Sequence, residues 1–433
     1  MLLRDRIVLF APAVIWTGFV FGQTSDPAAY VSAGEWRQWG GPTRDFHSTA
    51  VGLADAWPAS GPKVRWSRPL GLGHSSIVVD EGRLFTLYRA EKAGAFEPEE
   101  FVIALSSDTG KTLWEYKYAS EPLNFRYGAG PHATPLVVDG RVFTGGTNKQ
   151  IHAFNKATGA LIWSHDLVKD FGAPRTLLRP AVKAGYACSP IAYKDTIILS
   201  AGGEGQAVMA LRQRDGAVVW KSGDFLVAES APILIEVGGQ KEVVVVGGQT
   251  INGFDPDTGK LLWSHGHDTS GDMNNSMPVW GSDNVLFVTS AYNGGSRALR
   301  LTKQGDRTKV EELWFTNRLR IMFANALRIG DYIYGSSGDF GPAFLTALDI
   351  KTGEVAWQER GFGRSSLLYA DGKVILLDED GTLALARVSP KGLQVLSKTP
   401  LFDTVSWTVP TLVGSTLYAR DRKKIVALEL ARP

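Results

Sequence analysis

A pair of residues, small and then large and apolar, recurs five times in this 433-residue chain, each time followed at fixed distances by a glycine and a tryptophan. The glycine lies five residues after the large residue and the tryptophan four residues after the glycine, as in Leu105, Gly110 and Trp114. Because glycine adopts positive φ without steric cost, each copy predicts a tight turn between two antiparallel strands. The other copies are Phe154, Gly159 and Trp163; Leu211, Gly216 and Trp220; Phe254, Gly259 and Trp263; and Leu348, Gly353 and Trp357.

A second hairpin precedes these turns. The clearest example joins the apolar runs 134–138 and 141–146 through Asp139 and Gly140. Two hairpins make a four-stranded meander of about 40 to 50 residues, which is the period of propeller blades. Similar first hairpins begin at Ser189, Ala231 and Met277.

Counting these units predicts a closed ring. A seventh unit runs from Ser365 to about Leu396 without a tryptophan, and an eighth begins at Val409 but ends before its outer strand. The run 63–67, which contains Trp66, supplies the missing strand, and such pairing removes exposed sheet edges. We therefore predict an all-β fold, a single eight-bladed β-propeller of four-stranded antiparallel blades that is closed by an N-terminal strand.

The repeat resembles the tryptophan-docking motif of the pyrroloquinoline-quinone-like (PQQ-like) repeat. That repeat occurs in eight-bladed quinoprotein dehydrogenases and in the scaffold lipoprotein of the outer-membrane β-barrel assembly machinery. The resemblance covers roughly residues 36–430, and the opening Trp36 to Pro42 is similar to exported bacterial members whose activity is generally unassigned. We expect each motif tryptophan to pack between neighbouring blades. These residues are Trp66, Trp114, Trp163, Trp220, Trp263, Trp314 and Trp357.

The N-terminus has the pattern of an export signal. Arg4 and Arg6 precede an apolar run that ends at Gly22 and contains Pro12, which suits a cleaved signal peptide better than a stable membrane span. No cysteine directly follows that run, so it offers no lipid-attachment site. We expect a signal peptide over 1–22, an extension over 23–62 that packs on the propeller, and the propeller over 63–433. The expected location is periplasmic or secreted.

Charge and motifs exclude several classes of function. The chain has 46 basic and 44 acidic residues, which disfavours nucleic acid as a partner. Cys188 is the only cysteine, so no intramolecular disulfide or zinc site is predicted. His265 and His267 form an incomplete ligand set, and we assign no metal site. Hydrolase elbows and phosphate loops are missing from the sequence.

Residues that lie just before the innermost strands, or in neighbouring loops, are expected to line the mouth of the central channel. The predicted ligand-binding residues are Tyr127, Arg179, Glu229, Asn275, Arg320 and Trp407. We assign no catalytic residue and no cofactor. The favoured interpretation is a monomeric binding or scaffold protein that takes a protein, peptide or glycan ligand on its loop face.

The resemblance also implies an alternative, a PQQ- and calcium-dependent quinoprotein that oxidises an alcohol or sugar. Such an enzyme needs calcium with oxygen ligands and an aspartate that takes the substrate proton. The adjacent cysteines that its characterised alcohol dehydrogenases often use are impossible here, because Cys188 stands alone.

Overall fold

The structure, a computed structural model, describes residues 35–92, 95–122, 128–175, 185–339 and 341–432. The expected signal peptide lies outside these ranges. Within them the single helix is Leu167–Phe171, capped by Asp166, and no helix is long and apolar enough to cross a bilayer.

The strands form eight antiparallel sheets of four strands each, which surround a central channel as the blades of a propeller. From the inside outwards, blades 1 to 4 consist of Val78–Asp80, Arg83–Lys92, Ala95–Ser106 and Thr112–Ala119; Leu136–Val138, Arg141–Gly145, Gln150–Asn155 and Leu161–Asp166; Ile191–Tyr193, Thr196–Ser200, Val208–Arg212 and Val218–Ser222; and Ile233–Val237, Gln240–Val246, Thr250–Phe254 and Leu261–Gly266. Blades 5 to 8 consist of Val279–Trp280, Val285–Ser290, Gly295–Gln304 and Arg307–Thr316; Leu327–Ile329, Tyr332–Ser337, Phe344–Asp349 and Val355–Glu359; Ser365–Ala370, Lys373–Asp378, Thr382–Ser389 and Gly392–Pro400; and Thr411–Val413, Thr416–Arg420, Lys424–Glu429 and Lys63–Pro69.

The ring closes between the N-terminal strand and the last strand of the chain. Lys63–Pro69 pairs antiparallel with Lys424–Glu429, from Lys63 opposite Glu429 to Pro69 opposite Lys424. This confirms both the predicted number of blades and the predicted closure.

The motif tryptophans join neighbouring blades. Trp220 in blade 3 donates its indole N–H to the carbonyl of Pro256 in blade 4 at 3.0 Å, and its ring covers Gly259. The same arrangement places Trp66, Trp114, Trp163 and Trp314 on Gly110, Gly159, Gly216 and Gly353 of the following blade.

Two tryptophans depart from this arrangement. Trp263 donates to the Glu242 carboxylate of its own blade at 2.6 Å, and its ring covers Gly253 there. The following blade has a longer hairpin, whose turn lies between Gln304 and Arg307, and so offers no motif glycine to Trp263. Trp357 donates to the carbonyl of Ser389 in blade 7, which has no motif glycine either.

The segment before the closing strand runs along the free edges of the inner strands and occupies the channel. Trp36 exchanges two backbone hydrogen bonds with Val79 of blade 1, and the carbonyl of Arg37 accepts one from Val137 of blade 2. On the other side of blade 8, Phe46 and Ser48 bond to the backbone of Tyr369 in blade 7. Further contacts are Arg44 with Ser189 and Pro190, Ser48 with Leu412, and Ala54 with Leu430.

The contact between Trp220 and Gly259 predicts how much unfolding free energy is lost when the glycine is replaced by alanine. Gly259 has φ +73°, and a Cβ there would lie 2.6 Å from the Trp220 ring. Gly140 has φ +71°, but a Cβ there would meet nothing within 4 Å. We expect Gly140→Ala to cost about 1 kcal/mol of unfolding free energy and Gly259→Ala at least about 2 kcal/mol, measured by urea unfolding. Equal costs would mean that the indole contact adds nothing to the backbone strain.

Candidate functional site

One position of the repeat lines the mouth of the channel. In seven blades, the residue four positions before the first residue of the inner strand contributes to a single cavity. Blade 7 is the exception, since its inner strand begins early, at Ser365. The seven residues are His74, His132, Ala187, Glu229, Asn275, Phe323 and Trp407.

The cavity is partly open to solvent and has mostly apolar walls. Its volume is about 120 Å³. Ser189 and Ala231 line it from positions two residues nearer to their strands, as expected for extended chain whose side chains alternate in direction. Met273 adds an apolar side chain, and Trp39 of the N-terminal segment also lines the cavity.

The alternate position faces the neighbouring blade instead. Ser230 donates its hydroxyl to the carbonyl of Ser276, and Ser276 donates to that of Ala324 in the next blade. Cys188 holds the equivalent position and donates its thiol to the carbonyl of Ala228 at 2.8 Å. The lone cysteine thus also bonds to a backbone carbonyl of the next blade, although this carbonyl lies two positions earlier in its segment than those that accept from the serines, and burial raises the pKa of its thiol.

Glu229 and Asn275 stand out within the cavity wall. They hold the same position in neighbouring blades, and a backbone hydrogen bond from Ser230 to the carbonyl of Asn274 links the two segments. Both side chains are partly exposed, but the two Glu229 carboxylate oxygens and the Asn275 Oδ1 are buried. None of these three oxygens has a hydrogen-bond partner in the structure. Burial raises the pKa of Glu229 to about 7.

Aromatic rings form the wall on the other side. Trp407 lies 5.2 Å from His74 and 4.7 Å from Phe323 between ring centroids, and His74 lies 5.1 Å from His132. The Arg422 guanidinium packs 5.3 Å from the centre of the Trp407 ring. Burial, with a smaller contribution from Arg422, lowers the pKa of His132 to about 4, so this ring is neutral at physiological pH.

The structure brings three of the predicted residues together in the cavity: Glu229, Asn275 and Trp407. Arg320 is not part of its lining. It lies seven residues before the inner strand of blade 6, rather than the four residues that place a side chain in the cavity, and it pairs with Asp339 at 3.4 Å. Tyr127 and Arg179 lie outside the described residues.

Sequence reasoning missed His74, His132, Phe323 and Trp39. His132 lies three residues before Pro135, just as Glu229 lies three residues before Pro232, so the proline that marks the start of the inner strand was available to identify it. Blades 1 and 6 lack that proline, and the start of their inner strands was harder to place.

The described residues fit only part of a calcium–quinone site. The unpaired oxygens of Glu229 and Asn275 suit a cation, but among the described residues Glu229 is the only carboxylate in the cavity lining. The described part of the lining holds no second acid that could take a substrate proton. In the described parts of the chain, no three His, Cys, Asp or Glu side chains converge as metal ligands. His267 is buried, with one ring nitrogen bonded to Arg297 and the other to Ser290.

Comparison with known proteins gives the family. A family model described as outer membrane protein assembly factor BamB matches residues 98–359, more than half of the chain. Among curated proteins, outer membrane protein assembly factor BamB of Shewanella oneidensis is 22% identical over an alignment of 262 residues, which covers 57% of this chain and 61% of the relative. The chain thus matches less than two thirds of the length of that relative.

Solved structures share the fold. BamB from Moraxella catarrhalis is similar with a TM-score of 0.58 and 16% identity, over 85% of this chain and 97% of that chain. A quinohemoprotein alcohol dehydrogenase from Pseudomonas putida HK5 is similar with a TM-score of 0.61 and 13% identity, over 92% of this chain and 80% of that chain. With the matching family model, these similarities show that the chain belongs to the family of PQQ-like repeat β-propellers described as outer membrane protein assembly factor BamB.

Proposed function

We propose that this protein is an exported binding propeller that takes its ligand in the cavity at the mouth of the channel. The observation that carries the proposal is the pair of orphaned side chains, Glu229 and Asn275, in the wall of an otherwise apolar and aromatic cavity. A buried polar group without a partner costs about 1–3 kcal/mol. A ligand that supplies hydrogen-bond donors removes that cost when it binds.

The surroundings of the cavity suit this role. Trp39 belongs to a segment whose hydrogen bonds span the channel, since Phe46 and Ser48 bond to Tyr369 in blade 7 and Arg44 bonds to the backbone of Ser189 and Pro190 in blade 3, on the opposite side of the ring. The space below the cavity is therefore occupied, and the ligand enters from the loop face. It enters either as a free molecule or as a side chain or sugar of a protein, peptide or glycan that rests on that face. The closed ring offers a rigid surface for such contacts, and we expect it to act as a monomer in the periplasm or outside the cell.

The quinoprotein alternative is supported less well. The fold is shared with a quinohemoprotein alcohol dehydrogenase, and carboxylate and amide oxygens are ligands that calcium accepts. Two residues supply three side-chain oxygens, however, whereas calcium takes about six to eight oxygen ligands. As far as the structure describes the chain, the cavity wall also offers no acid besides Glu229 for general base catalysis.

A cavity-filling substitution tests the binding function. Ala187 lines the cavity, so Ala187→Trp should fill it, whereas Leu113→Trp changes an exposed residue on the outer strand of blade 1. With indole, 2-phenylethanol and 2-phenylethylamine as probes, we expect at least one to raise the thermal midpoint of the wild type and of Leu113→Trp by about 2 °C near saturation. Ala187→Trp should not respond.

Either of two results would contradict the binding function. No shift with any probe would remove the cavity as a binding site. Dye-linked oxidation of an alcohol after addition of PQQ and calcium, lost in Ala187→Trp, would favour the quinoprotein alternative instead.

A further inference from the structure

The unpaired oxygens of Glu229 and Asn275 indicate which kind of ligand would complement the cavity. Three acceptors are left without donors: both carboxylate oxygens of Glu229 and the Oδ1 of Asn275. A primary ammonium group has three N–H donors and a positive charge, which is the complement of this set. Resting on the binding function proposed above, we infer that the cavity binds a small organic amine, whose ammonium group pairs with Glu229 and Asn275 and whose apolar body stacks on the aromatic wall.

The remaining walls favour an organic cation over a metal ion. Besides the two oxygen-bearing residues, the lining includes Trp407, Phe323 and Met273, whose surfaces are apolar. A hard metal ion would keep its water ligands, which would lie against these apolar surfaces. An amine with an aromatic body would instead bury the apolar surfaces. The three oxygens are covered in the ligand-free chain, and a side-chain rotation of Glu229 and Asn275 turns them towards the ligand, which is a common adjustment on binding.

Other charged groups surround Glu229 without pairing with it. On the blade 3 side, Cys188 is a neutral thiol, and beyond it burial lowers the pKa of Lys149 to about 8 while its ammonium donates to the carbonyl of Ala201 at 2.7 Å. Asn275 on the blade 5 side is uncharged. Other charged or titratable groups near the cavity are His74, His132 and Arg422, Arg44 at the backbone of Ser189, and Glu379, which accepts the indole N–H of Trp407 at 3.1 Å and pairs with Arg364.

Two probes of the same shape separate charge from apolar contact. In calorimetric titrations at pH 8, 2-phenylethylamine should bind the wild type at least about tenfold more tightly than 2-phenylethanol, because only the amine carries a charge for Glu229. Glu229→Gln should bring the two affinities together, and Asn275→Ala should weaken the amine more than the alcohol. Glu204→Gln removes an exposed acid from a loop of blade 3 and should leave the preference unchanged.

The pH dependence provides a second readout. Between pH 6 and pH 8, amine binding by the wild type should tighten as Glu229 ionises, and this change should disappear in Glu229→Gln, in which Lys149 and the histidines remain. Calcium chloride alone is the third probe and should bind more weakly than the amine.

The outcomes separate the two proposals. Equal affinities of amine and alcohol for the wild type, both lost in Ala187→Trp, would overturn the amine inference and leave the cavity as a binding site. If no probe binds, both proposals fail. Glu229-dependent binding of calcium without binding of the amine would show that the oxygens hold a metal ion, and the amine inference would be wrong.

Discussion

A chain that begins at residue 70 should not form the ring, whereas a chain that begins at residue 35 should fold like the full protein. The difference includes Lys63–Pro69, the outer strand of blade 8. Without it, Lys424–Glu429 exposes an unpaired edge, and Gly110 of blade 1 loses the Trp66 ring that covers it. Trp66 is partly buried, so loss of its side chain costs less than the about 3–5 kcal/mol of a fully buried tryptophan, but loss of the strand pairing adds to that cost. We expect most of the shorter chain to be insoluble and the remainder to unfold at lower urea concentration.

A third chain separates the closing strand from the channel segment. A chain that begins at residue 63 keeps the strand but lacks Trp36, Trp39 and Phe46, so it should fold with a lower urea midpoint and lose the probe binding that Trp39 supports. Equal urea midpoints for the chains that begin at residues 35 and 70 would show that the ring does not depend on its N-terminal strand.

The repeat made the fold predictable because each blade carries the same local signals. The step from Ala104 to Leu105 coincides with a β-bulge between the third and fourth strands, and equivalent bulges follow Ala153, Ala210 and Ala347. The glycine turn and the tryptophan then fix the packing between blades. Trp263 shows the limit of this reasoning, since its contacts depend on the length of a hairpin in the next blade.

The site was predictable only where a local signal marks the inner strand. Proline stands directly before the inner strands that follow Glu229, Asn275 and Trp407, and these three residues reach the cavity. His74 and Phe323 precede inner strands without such a proline. Trp39 belongs to a segment that occurs once in the chain, and no repeat reveals its path into the channel.

Lack of a hydrogen-bond partner, rather than burial alone, makes Glu229 different from other buried acids. Glu100 is fully buried, but it accepts hydrogen bonds from Arg89, Tyr118 and Thr147. Glu242 is also fully buried and accepts from Trp263 and Thr308. Both of these acids hold strands and blades together. The Glu229 carboxylate makes no such bond, so the free chain bears its desolvation cost without compensation.

Glu229→Gln should stabilise the protein above neutral pH and have little effect at pH 5. The pKa of this carboxyl is raised from 4.5 to about 7, so the folded state retains a proton that the unfolded state has released between these values. The contribution of the protonated acid is fully present below pH 4.5 and is lost as pH rises through 7, a change of about 3 kcal/mol between pH 4.5 and pH 8. Urea unfolding at pH 5 and pH 8 measures it, and we expect the variant to gain most of this difference at pH 8. Glu242→Gln, which breaks hydrogen bonds to Trp263 and Thr308, should destabilise at both pH values. If the pH dependence of Glu229→Gln equals that of the wild type, Glu229 is not the group that titrates.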